Sequence, residues 1–163
     1  MIALKLIREG ILDQSPKNAT ALNNLGNIYT MQGKTSEAQV AYRRAQEADG
    51  SDPGIQLNEG LARKTGGDDE QADRILVSAI QSAGGAAEAQ ELLGIVPAGD
   101  MRGEATRMVA NQIRLLIDDL AGDGGGVIKL SRASEALDQG EQEFYLYWKD
   151  DEGDQNVEID EAD

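Results

Sequence analysis

Apolar residues return at steps of three and four along most of the first 121 residues, the period of helices with one buried face. The pattern predicts helices over residues 2–13, 19–31, 35–48, 54–65, 68–82, 86–95 and 102–121. The breaks between them have local causes. "SPKNAT" supplies Pro16 and the cap candidate Asn18, and Gly33 ends one helix before Thr35 or Ser36 caps the next. "DGSDPG" is a turn cluster, and "TGGDDE" closes a helix on glycine and opens the next with acids that suit its dipole. In the last helix Ala105, Met108, Val109, Ile113, Leu116, Ile117 and Leu120 form one stripe that must be covered.

After "GDGGG" at residues 122–126 the texture shifts toward a period of two. "VIKLS", "EFYLYWK" at residues 143–149 and "NVEI" read as short strands, with "EALDQG" a loop or short helix between the first two. Phe144, Leu146 and Trp148 alternate with Tyr145 and Tyr147, so both faces of the middle strand are expected to be partly covered. The expectation is a small antiparallel sheet on the 102–121 helix, followed by a disordered acidic end.

A shift of 34 residues brings Gly26 onto Gly60 and Gly60 onto Gly94, Gly33 onto Gly67, Ala38 onto Ala72, Tyr42 onto Leu76 and Ala45 onto Ala79. Glycine inside a helix costs about 1 kcal/mol relative to alanine, so a recurring one has a purpose. Here that purpose is close approach: Gly26 is expected to face Ala38 and Tyr42 of the next helix. Small residues at fixed places between regular breaks mark a solenoid of two-helix units.

The first unit reads Leu22-x2-Leu25-Gly26-x2-Tyr29, then Ala38-x3-Tyr42, then Ala45, then Pro53. This resembles the tetratricopeptide repeat, with Leu22 where a Trp is common. The second unit keeps Gly60, Gly67, Ala72 and Ala79 but has Glu59 and Arg63 where the first has Leu25 and Tyr29, which predicts a less well-packed first helix. The resemblance implies a mainly α fold, a right-handed α-α superhelix of helical hairpins over residues 1–121, and the strand-like pattern beyond it adds a small α+β element over residues 122–163. Within the array we expect a half repeat at 1–16, repeats at about 19–52 and 53–85, and a partial third at 86–121. The opening helix is either an N-terminal cap or the second half of a repeat whose first helix is missing. The latter would leave an apolar face for self-association.

Composition narrows the chemistry. The chain has no Cys and no His, which removes thiolate and imidazole ligands and the commonest general base. A net charge of −15 repels phosphate backbones, so nucleic acid is not an expected partner. The acidic excess lies beyond residue 49; it suits a solvated surface, and also basic partners. No apolar run spans a membrane and no leader pattern opens the chain, which points to the cytoplasm. "GDGGGV" lacks the Lys-Ser/Thr ending of a phosphate loop. "DDEGDQNVEID" lacks glycine at the sixth place of a calcium loop, where Gln155 stands. Neighbouring acids such as Asp118 and Asp119 diverge on a helix and form no acid/base pair. No enzyme, cofactor or metal site is expected.

In the family that the chain resembles, the first helix of each hairpin lines a concave groove that holds a peptide or partner segment. The corresponding residues are Thr20, Asn23, Asn27, Thr30 and Met31, then Asn58, Leu61, Lys64 and Thr65, then Leu92. An asparagine amide both donates and accepts, which suits the alternating N–H and C=O of a peptide; these positions also suit a merely solvated polar face. The reading is a non-catalytic protein–protein interaction scaffold that binds a peptide or partner segment in the groove. The alternative is an oligomerisation module assembling through its N-terminal repeat face. A third reading, ligand binding at Tyr145, Tyr147 or Trp148, competes with their use as the core of the sheet.

Overall fold

In a computed structural model the chain is described over residues 6–95, 104–122 and 145–149. Seven helices follow one another among these residues: α1 (Leu6–Leu12, wound as a π-helix), α2 (Ala19–Met31), α3 (Thr35–Ala48), α4 (Pro53–Thr65), α5 (Asp69–Ala83), α6 (Ala86–Leu92) and α7 (Glu104–Gly122). Helices α2 to α5 pack chiefly on their neighbours in sequence, α2 on α3, α3 on α4 and α4 on α5, which is the connectivity of a stacked solenoid, and α7 packs on both α5 and α6.

The helix ends follow from the local sequence. Asn18 Oδ1 accepts from the Ala21 N–H at 3.0 Å and caps α2. Pro53 opens α4, where its missing N–H is not needed, and Asp52 Oδ1 accepts from the Gly54 N–H at 2.9 Å. Gly33 and Gly67, 34 residues apart, turn the chain with φ of 74° and 91°. α3 differs from expectation, because Lys34 precedes it and neither Thr35 nor Ser36 caps it.

The close-approach glycines behave as a pair. A Cβ on Gly26 would overlap the Tyr42 ring, and one on Gly60 would overlap the Leu76 side chain. The same exchange of small for large is thus made twice, one period apart. Tyr42, Leu76, Ala38, Ala45, Ala72 and Ala79 are all buried. The third glycine breaks the series. Gly94 lies beyond α6 with φ 68°, because α6 ends at Leu92 and Gly94 serves the turn.

α4 corrects a second expectation, since it is buried along most of its length. Glu59 is tolerated there because Arg63 pairs with it at 3.0 Å and Gln46 of α3 donates to it. The two residues that depart from the repeat pattern satisfy each other.

α1 covers the open side of α2, with Ile7 buried against Ala21, Leu25, Ile28 and Ala41. At the other end Leu57, Leu61, Leu76 and Ile80 form one core with Leu93 and with Ala110, Ile113, Leu116, Ile117 and Leu120 of α7. Among the described residues no helix is long and apolar enough to cross a membrane.

No strand occurs among the described residues, so the expected α+β element finds no support in them. Residues 145–149, from the most strand-like run of the sequence, have no strand partner and lie against the helices instead. The proposed strands "VIKLS" and "NVEI", most of the glycine run at 122–126, the acidic loop and the chain end lie outside the described residues.

Candidate groove and the segment it holds

One face of α2 and α4 forms the candidate groove, and residues 145–149 lie against it. Three fully buried amides converge on one atom there, the carbonyl oxygen of Tyr147. Asn58 Nδ2 donates to it at 2.7 Å, Asn27 Nδ2 at 2.8 Å and Asn23 Nδ2 at 2.9 Å. The Tyr147 N–H donates to Asn58 Oδ1 at 2.7 Å, so one asparagine grips both polar groups of one peptide residue. Asn24 repeats the grip two residues further on: the Lys149 N–H donates to its Oδ1 at 3.2 Å and its Nδ2 donates to the Lys149 carbonyl at 3.1 Å.

Asn24 and Asn58 are 34 residues apart and occupy the same place in successive repeats. The backbone residues they hold are two apart, which is the repeat of an extended chain presenting one side. The segment runs against the order of the repeats. The next place in the series is Leu92, which packs against the same core cluster as Tyr145.

Further hydrogen bonds fix the amides. Asn58 Nδ2 also donates to Asn23 Oδ1 at 2.9 Å. The buried Tyr42 hydroxyl donates to Asn27 Oδ1 at 2.7 Å, and Thr30 Oγ1 lies 3.0 Å from that hydroxyl and donates to the Gly26 carbonyl at 2.9 Å. Burial raises the Tyr42 pKa well beyond its ordinary 10.0, so the phenol stays a donor. The ring that fills the space at Gly26 therefore also orients a groove amide.

Side chains of the segment have their own seats. The Tyr147 ring lies on Gly54, where a Cβ would overlap it, and its hydroxyl donates to Asp52 Oδ2 at 3.0 Å. Burial, reinforced by the Asp52 charge, pushes that hydroxyl up to about 12. Lys149 Nζ lies 2.9 Å from Asp49 and 3.0 Å from Asp52. Burial lowers its pKa, and the two carboxylates outweigh that and leave it raised. Asp49 is held down to about 2 by the Ser51 hydroxyl and then by Lys149. Trp148 packs on the α1–α2 cluster.

The remaining candidates fall differently. Thr20 is half-buried at the start of α2, Met31 is buried and Thr65 is exposed. Leu61 belongs to the core that takes Tyr145. Lys64 is buried and turned to α5, with Asp73 at 2.7 Å and Asp69 at 3.6 Å. The sequence reading did not single out Asn24, Asp49, Asp52 or Gly54. The 34-residue shift pointed to two of them, since Asn24 falls on Asn58 and Gly54 on the groove position Thr20. Among the described residues no cluster of His, Cys, Asp or Glu is arranged to hold a metal.

Compared with known proteins, residues 19–52 match the sequence model of the tetratricopeptide repeat. Residues 19–52 thus carry a tetratricopeptide repeat. The matched unit comprises α2, α3 and the turn that leads into α4. No curated protein and no solved structure matches the chain. Tetratricopeptide repeats generally mediate protein–protein interaction and are generally non-enzymatic.

Proposed function

We propose that this protein is a non-catalytic interaction module that binds an extended peptide segment of a partner protein in the groove of α2 and α4. One observation carries the reading: Asn24 and Asn58, equivalent in successive repeats, each clamp both the N–H and the C=O of alternate residues of one segment. Backbone clamps of this kind are indifferent to sequence, so they supply affinity and leave selectivity to side-chain seats. The clamps are neutral, which suits a groove that must accept a peptide without burying an unpaired charge.

A display selection of short random peptides on the full chain tests this. Selected binders are expected to weaken at least tenfold, about 1.4 kcal/mol, on the full chain carrying Asn24→Ala and Asn58→Ala. Binders indifferent to both substitutions would show that the groove is not the working surface.

A further inference from the structure

We propose that the groove selects peptides with an aromatic residue followed two places later by a lysine or arginine, and that residues 145–149 are a tethered occupant of this kind which an incoming partner displaces. The proposal rests on the peptide-groove reading above and adds the register of the ligand and what it competes with.

The register follows from where the clamps put the side chains. Asn58 fixes Tyr147 by its backbone and so places its ring over Gly54, where a Cβ would collide with it. Asn24 fixes Lys149 in the same way and so places its ammonium between Asp49 and Asp52. Both carboxylates lie at the turn before α4, and Asp52 is held in position as the cap of that helix. The seats are therefore a fixed distance apart, set by the helices and not by the ligand. Asp52 serves both, accepting from the Tyr147 hydroxyl and the Lys149 ammonium. A cation one residue earlier or later would point to the other side of an extended chain, away from both carboxylates. An acid in that place would face two like charges.

Competition follows from the tether. A segment on the same chain meets the groove at an effective concentration that a free peptide must exceed. The apparent affinity for a partner falls by the fraction of molecules whose groove is open.

Trp148 reads the occupancy directly. It is the only tryptophan in the chain, and it sits half-buried beside the clamps. A synthetic peptide copying residues 143–151, with phenylalanine in place of the tryptophan, is titrated against the full-length protein while tryptophan emission is followed. The expected result is a saturable red shift as the tethered segment leaves. Peptides in which the lysine is replaced by alanine, or moved by one place, are expected to need at least about tenfold more for the same shift. On the full chain carrying Asp49→Asn and Asp52→Asn, which keeps the helix cap, that preference is expected to vanish. Equal displacement by all three peptides would overturn the register and leave the groove reading standing. No shift with any peptide, together with wild-type emission from an Asn58→Ala chain of unchanged helicity, would overturn both.

Discussion

The carbonyl oxygen of Tyr147 accepts from three asparagines that have no exposed surface. Each amide hydrogen left without an acceptor in such a place would cost about 1–3 kcal/mol. The groove is thus costly to leave dry, and the surroundings of the amides are arranged for a main chain and not for a particular side chain. Glycine sets the other half of the site, and two glycines separate folding from occupancy. Gly26→Ala would drive a methyl into the Tyr42 ring, and the overpacking, about 1–3 kcal/mol, outweighs a helix-propensity gain of about 1 kcal/mol. Urea unfolding should report that loss of stability. The atoms nearest a methyl on Gly54 all belong to the Tyr147 ring, so Gly54→Ala should expel the segment and leave the helices intact. Tryptophan emission should move to the red with helical circular dichroism unchanged.

At the scale of elements, α4 carries the most diverse duties. Its capping residue Asp52 satisfies the Gly54 N–H with one oxygen and receives Tyr147 and Lys149 on the other. Asparagine caps as well as aspartate, so the two roles can be divided. Asp52→Asn should hold the thermal midpoint while weakening the hold on Lys149. Asp52→Ala should lose both, with about 1 kcal/mol from the cap alone. Melting curves and tryptophan emission on the same samples distinguish the cases.

The helices themselves were legible because their period, breaks and glycines all come from short-range rules. The helices whose starts lie inside the described residues, α2 to α6, begin within one residue of the boundaries read from the pattern. The third unit was misread because Gly94 obeys the 34-residue shift without its structural role. α6 starts at Ala86 as expected but ends at Leu92, so Gly94, with φ 68°, falls in the turn beyond it. The family resemblance put Asn23, Asn27 and Asn58 on one face of α2 and α4, and their amides meet at the Tyr147 carbonyl. Their occupant was not legible in the sequence. Alternation in "EFYLYWK" signals an extended chain with two faces, and an extended chain satisfies its backbone on asparagine amides as readily as on another strand. Asp49 and Asp52 read as turn residues because they are also turn residues.

For the molecule as a whole, the segment adds a pH window to an array that has no histidine. Tyr147 rises from the ordinary 10.0 to about 12 when docked, chiefly through burial, so its contribution is complete below about pH 10 and lost as pH climbs through 12. The raised pKa of Lys149 acts in the same direction. Asp49 moves the opposite way, from 3.8 to about 2, through the Ser51 hydroxyl first and Lys149 second. The Ser51 share belongs to the turn itself; the Lys149 share is the part tied to docking, present above about pH 4 and lost as pH falls through 2. Docking should therefore be strongest between about pH 4 and 10, with tryptophan emission shifting to the red at both ends.

A stack of repeats is a one-dimensional system in which each unit feels only its immediate neighbours, and such systems fray from their ends and melt in steps. Residues 145–149 reach along the whole stack: Tyr145 sits in the core of α5 and α7, Tyr147 bridges α4 and α2, and Trp148 rests on α1 and α2. They add a longer-range coupling that nearest-neighbour statistics lack. With the segment in place the two ends of the stack share one fate; a partner that displaced it, as proposed, would take over that coupling and with it the order in which the repeats come undone.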